Sequence, residues 1–229
     1  MELPNSEPRT QPKTTHEVED GFTLVEILVV IGIISMLIVA LTPSLRNAIL
    51  GGQEAETTGR ATKLQTMILA YKDIHGQHPP DDGSTFGNRQ KNWDLGKGNG
   101  KNGGIESLIL HLANTPKSGD LSQNVDWFAN TDGDKLAKDI PGLGRSERVE
   151  IVDAWGTPFA YFSGRVGSDY SGKDTVVGRE IADEPGLEMT VRPWKDDSGE
   201  YRNPRGFQLI SAGPDQEFDT EDDLFYPRQ

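Results

Sequence analysis

The sequence predicts an α+β protein: a long N-terminal helix, apolar in its first half and amphipathic in its second, packed on a small antiparallel β-sheet. Three observations predict it. Residues 22–41 form an apolar run in which Glu26 is the only charge. An apolar stripe with helical spacing follows Pro43. Short apolar segments bounded by Gly, Pro or Asp occupy the C-terminal half, as strands often do.

The apolar run comes first. At ~1.5 Å per residue it spans the ~30 Å of a bilayer hydrocarbon core. Thr42 and Pro43 interrupt it, and Arg46 is the first basic residue beyond. A secretory signal peptide would need a basic start, a shorter core and a small-residue cleavage site. Here Glu17, Glu19 and Asp20 precede the run and no Ala-x-Ala follows, so a retained membrane helix is expected. An acid at the centre of a span costs ~2.5–3.5 kcal/mol, and less near an end. Two readings of Glu26 therefore stay open: it meets a cationic partner in the membrane, or it reaches the headgroups.

Past Pro43, Leu64, Met67, Ile68 and Tyr71 mark one buried helix face. Gly51, Gly52 and Gly59 weaken the helix by ~1 kcal/mol each relative to Ala, so two helices with a glycine hinge is the alternative. His75-Gly76 reads as the end, and Pro79-Pro80 forbids resumption. Residues 81–104 read as a surface loop with Trp93 as its one large apolar anchor. A short helix is expected over 104–113, polar turns over 115–144, and strands over 149–152, 158–162 and 206–211. Segments 175–177 and 188–194 would add a hairpin. Trp155 is expected in the core, with its N–H bonded to a carbonyl.

Composition narrows the function. At 229 residues the chain holds one or two modest domains. Its hydrophobic residues, 34% of the total, are concentrated in the first helix, while 26 Gly and 14 Pro indicate a loop-rich remainder. The net charge of −13 and the lack of an evident basic patch argue against a nucleic-acid partner. With no cysteine there is neither a disulfide nor thiol chemistry.

Three segments invite chemistry. "SAGPDQEFDTEDD" offers carboxylates from Asp215, Asp219, Glu221, Asp222 and Asp223 and a hydroxyl from Thr220, while Gly213-Pro214 turns the chain so that the Ala212 carbonyl could face inward. That is an oxygen-rich set of the kind calcium takes, without EF-hand spacing. Such a run is, on its own, more often a solvated tail. "NTDGD" (130–134) reads as a polar turn, because Phe128 stands where an EF-hand loop needs its first ligand. His75, His78, Asp81 and Asp82 lie near one another, but Gly76 and Pro79 break the helix that would align zinc ligands, so a loop with exposed histidines is expected.

Gly21-Phe22-Thr23-Leu24-Val25-Glu26 resembles the cleavage and methylation motif of type IV pilins and type II secretion pseudopilins. "LAYKDIHGQHPPD", "GIESLI", "VDAWGTPFAYFS" and "FQLISAGPDQEFDTEDD" are similar, in order, to segments of the major pseudopilin. The resemblance implies a pilin-like fold and cleavage by a prepilin peptidase between Gly21 and Phe22. It also implies N-methylation of Phe22 and registration of neighbouring subunits through Glu26. Residues 1–21 would be the leader, 22–42 the transmembrane and assembly helix, 43–76 its amphipathic continuation, and 77–229 a periplasmic globular domain. The loops 81–103, 116–144 and 164–204 exceed the minimal family pattern, and the leader is acidic where the family's is usually basic.

By the same resemblance the C-terminal loop would bind structural calcium through Asp215, Asp222 and Asp223, with Thr220 and the Ala212 carbonyl as further ligands. The implied protein is a non-enzymatic single-pass subunit of the bacterial inner membrane. It would polymerise with other pseudopilins on an inner-membrane secretion platform. Two alternatives remain at this stage. One is a type IV or minor pilin for adhesion, motility or DNA uptake, although such pilins often carry a C-terminal disulfide. The other is a single-span periplasmic enzyme or binding module with a site in 81–103 or 164–204.

Overall fold

The computed structural model describes residues 21–82, 99–135, 139–164, 170–179 and 186–228. Trp93, most of loop 81–103 and residues 1–20 lie outside the described residues. The chain divides into two compact units, Met1–Asn47 and Ala48–Gln229.

Helix α1 (Leu24–His75) is a single helix of 52 residues, as expected, and the alternative of two helices with a glycine hinge does not hold. Both glycines are exposed and no neighbour presses on them. Nothing exploits their freedom, and the helix continues through them. Within the first unit, the side chains from Leu24 to Leu45 are solvent-facing and mostly aliphatic. Pro43 lacks an N–H and stands inside α1, while the Thr42 hydroxyl donates to the Ile38 carbonyl at 2.7 Å.

Within the second unit, α1 buries Thr57, Arg60, Ala61, Leu64, Met67, Ile68 and Tyr71. This is the expected stripe, extended two turns toward the N-terminus. Helix α2 (Gly103–Ala113) packs into the same core through Ile105, Leu108, Ile109 and Leu112. Its first turn lies directly on the sheet: a Cβ at Gly104 would stand 2.4 Å from the Tyr161 carbonyl oxygen. Short 3-10 turns, Pro116–Ser118 and Leu121–Trp127, follow.

The expected single sheet is instead three small antiparallel ones. Strand β1 (Phe128–Ala129) pairs with β2 (Glu150–Ile151). Strands β3 (Ala160–Ser163), β6 (Phe207–Ser211) and β7 (Leu224–Tyr226) form a sheet in the order β3-β6-β7. Strands β4 (Thr175–Arg179) and β5 (Leu187–Val191) make the anticipated hairpin. β1 and β7 are too short and too polar in context to show the alternation on which strand prediction depends.

The central sheet is covered on both faces. Tyr161, Phe207 and Leu209 join the core built on α1 and α2. Ala160, Phe162 and Ile210 point the other way, into a second cluster with Tyr170, Val177 and Val191. The extended segment 164–204 thus supplies a cover for the back face. Full burial of each large apolar side chain contributes ~1.5–3 kcal/mol.

The turn between β2 and β3 is organised by Asp153. Its carboxylate accepts from the Trp155 and Thr157 amides and from the Ser211 hydroxyl. Arg60 on α1 donates to the Val152 carbonyl at 2.7 Å. Trp155 departs from expectation: it is half-buried and its indole N–H has no hydrogen-bond partner. The Asp153 side chain, not the tryptophan, holds this turn.

Candidate functional site

The N-terminal segment comes first. Thr23 stands just before α1 and Glu26 in its first turn. The Glu26 Oε2 accepts from the Thr23 backbone N–H at 2.8 Å and from its hydroxyl at 2.7 Å. In return the Glu26 N–H donates to Thr23 Oγ1 at 3.2 Å. This reciprocal pattern is a capping box, which satisfies amides that the first turn would leave orphaned. Glu26 therefore has a local role besides the two readings left open above. Gly21 and Phe22 precede the cap and are exposed, so the peptide bond between them lies outside the helix.

The residues expected to bind calcium lie in the loop between β6 and β7. Gly213, with φ of 69°, starts a turn closed by the Gln216 N–H donating to its carbonyl. Asp222 bridges the loop: Oδ2 accepts from the Asp215 N–H at 3.1 Å and Oδ1 from the Thr220 hydroxyl at 2.6 Å. Asp215 Oδ1 accepts from the Glu217 N–H, and Asp223 Oδ2 from the Asp219 N–H. The structure therefore brings Asp215, Thr220, Asp222 and Asp223 into one hydrogen-bonded loop, with Ala212 buried at its base. Only Asp223 keeps a buried oxygen without a partner, Oδ1. Burial, followed by the charges of Asp219 and Asp215, pushes its carboxyl up to about 7.

The histidine pair does not converge. His75 Nε2 meets the Thr115 hydroxyl at 3.0 Å. His78 is buried against the Phe207 ring rather than exposed, and burial together with Lys72 lowers its pKa to about 4. Asp81 is engaged by the Ser163 N–H and by Lys173 Nζ.

The sequence reading missed a group of carboxylates. "NTDGD" does form a polar turn, with the Gly133 N–H donating to Asn130 Oδ1 and Asn130 Nδ2 to the Asp134 carbonyl. That turn delivers Asp132 and Asp134 beside Glu106 of α2 and Glu150 of β2. A signal was present: Glu106 in "GIESLILHLA" and Glu150 in "VEIV" are lone acids inside apolar elements, as Glu26 is in its own run.

An exposed apolar helix long enough to cross a membrane, capped just beyond a Gly-Phe pair, defines the class: a membrane-anchored α+β protein. Residues 19–42 match a family model described as the prokaryotic N-terminal methylation motif. That match supports the type IV pilin-like family and implies a structural protein of pilin or pseudopilin type, processed by prepilin peptidase and built into a pilus-type assembly. No curated protein and no solved structure matches the chain.

Proposed function

We propose that this chain is a pseudopilin, and that it polymerises into the periplasmic pseudopilus of a type II secretion system. Prepilin peptidase cuts between Gly21 and Phe22, and Phe22 is then N-methylated. The supporting observation is the row of exposed aliphatic side chains from Leu24 to Leu45, which runs through and just beyond the matched methylation motif. Such a surface calls for lipid before assembly and for neighbouring helices after it. Cleavage after Gly21 leaves Thr23 and its cap in place and creates an α-amine near Glu26, a fitting counter-charge in an apolar setting. The resembling segments farther along fall at the end of α1, at α2, at the Asp153 turn and at the loop before β7. The protein's task in this reading is assembly and force transmission.

Calcium in the loop before β7 belongs to the same proposal. The loop's donors are all oxygen, and the unpartnered Oδ1 of Asp223 fits a hard cation. Asp215, Asp222, Asp223, Thr220 and the Ala212 carbonyl would hold it, and the bound ion would fix the loop and the last strand.

The test is the state of the mature N-terminus, followed by two substitutions. N-terminal sequencing is expected to give N-methyl-Phe22, whereas Met1 or a cut beyond Leu41 refutes the proposal. Crosslinking of Glu26→Gln then separates capping from charge, because glutamine still completes a capping box. Assembly should fail for both Glu26→Gln and Glu26→Ala. Normal filaments with Glu26→Gln would reduce Glu26 to a helix cap.

A further inference from the structure

The least satisfied polar group among the described residues is the carboxylate set Glu106, Asp132, Asp134 and Glu150. One oxygen from each lies within 4.8 Å of the others. Glu106, Asp132 and Glu150 are each at least nine-tenths buried, at 2%, 5% and 0% exposure. Each has one oxygen held by a single protein donor. Glu106 Oε2 accepts from Arg148 Nη1 at 2.9 Å, Asp132 Oδ2 from Asn102 Nδ2 at 3.0 Å, and Glu150 Oε2 from the Thr131 N–H at 2.7 Å. The second oxygen of each (Glu106 Oε1, Asp132 Oδ1, Glu150 Oε1) is buried without a partner. A buried acceptor left in that state costs ~1–3 kcal/mol, and more when charged.

The donors are themselves fixed. Asn102 exchanges two hydrogen bonds with the Gly178 backbone of β4, through Oδ1 at 3.0 Å and Nδ2 at 2.9 Å. Arg148 reaches toward Asp134 as well as Glu106, with Nε 3.4 Å from Asp134 Oδ2. It is the only cation within ion-pair distance of the four acids among the described residues. One guanidinium against four carboxylates leaves a strong excess of negative charge in a buried place.

We propose that Glu106, Asp132, Asp134 and Glu150 form a buried divalent-cation site of calcium type that clamps α2 to the sheet of β1 and β2. The donor set is oxygen only, which favours calcium over zinc. Calcium–oxygen distances of ~2.3–2.6 Å place ligands on opposite sides of the ion ~5 Å apart, and this group matches that span. One oxygen of each buried acid is oriented by a protein donor, the arrangement that steers the other oxygen onto a metal. An open cavity of about 300 Å³ borders the group at Glu106 and Arg148.

The electrostatics of the metal-free protein agree. Burial raises Glu106 to about 8, with Arg148 only partly opposing it. Burial likewise raises Glu150 to about 9, and Asp134 to about 6 with the charge of Asp132 adding to it. Burial thus favours the neutral form of Glu106 and Glu150 when no cation is there, so calcium binding at neutral pH releases protons. This site is independent of the calcium loop before β7 and of the reading as a secretion pseudopilin.

The test uses the full chain in detergent, titrated with calcium chloride after chelation. At calcium a hundredfold above the dissociation constant, Tm should rise by at least ~5 °C. The double variant Asp222→Asn, Asp223→Asn disables the C-terminal loop and should still bind one calcium. No calcium bound to that variant overturns the proposal. Glu150→Gln should lose the buried site's share of the response while melting no lower than the parent in chelator, since glutamine matches the neutral carboxyl that burial favours there without a cation. A full calcium response retained by Glu150→Gln, or a melting point lowered equally with and without calcium, would also overturn it.

Discussion

Two acidic regions of the same unit have reached opposite states. The loop before β7 draws its acids from one contiguous stretch, and the carboxylates of Asp215, Asp222 and Asp223 each meet a backbone N–H or hydroxyl a few residues away. The buried group draws its acids from α2, the turn after β1, and β2. Its members share few donors, and all four keep an oxygen without a hydrogen-bond partner. The difference teaches that contiguity makes an acidic site conspicuous but also lets the local backbone satisfy it. Acids brought together only by folding have no such local donors, and they are the ones left demanding a cation or a proton.

The largest effect should come from Arg148. Its ion pair with Glu106 is almost fully buried, with side chains 5% and 2% exposed. Arg148→Met leaves the carboxylates without their guanidinium. Breaking such a pair costs up to ~3–5 kcal/mol, reduced here because Glu106 can take a proton. In chelator, urea unfolding should show that loss, and saturating calcium should recover much of it. A loss below ~1 kcal/mol would mean that protons, and not the Arg148 guanidinium, already balance the buried acids in chelator.

Much of the fold is legible in the amino-acid sequence. The apolar run, the stripe through Leu64 and Tyr71, α2 and the β4-β5 hairpin all follow from periodicity, which reports burial on one face. The expected calcium ligands of the C-terminal loop do sit together, because neighbours in sequence are neighbours in space. Other features were hidden for physical reasons. Strand β1 is only a residue pair, and its partner lies across a long loop. The second cover of the central sheet depends on Tyr170, Val177 and Val191, which are too scattered to show a period. The carboxylate group required α2, the turn and β2 to meet, and only the oddity of a lone Glu in each apolar element hinted at it.

A middle-sized effect should separate the two regions by geometry. Gly213 combines a φ of 69° with close approach, since a Cβ there would stand 2.3 Å from the Asp222 carbonyl oxygen. Gly213→Ala should cost ~1–3 kcal/mol and loosen the turn that closes the acidic loop. Calcium titration should then show the loop's contribution weakened and the buried site's affinity unchanged. Equal weakening of both would show that they are one coupled system.

The smallest effect carries the finest distinction, because it lies in a sign. Asp222 is bonded to the Asp215 N–H and the Thr220 hydroxyl at a partly exposed surface. Asp222→Asn replaces one acceptor oxygen by a donor facing another donor, so it should destabilise the chelated protein by no more than ~1 kcal/mol. Asp132→Asn makes the same chemical change in the buried group. There, one amide oxygen can keep the bond from Asn102 Nδ2 while the new NH₂ takes the position of an orphaned oxygen among carboxylates. That variant should be as stable as the parent in chelator, or more stable, with the order reversed once calcium is added. If urea midpoints in chelator fall equally for both, local bonding and not burial governs the two regions alike. Opposite signs would mark Asp132 as a charge that the fold holds in place for an ion.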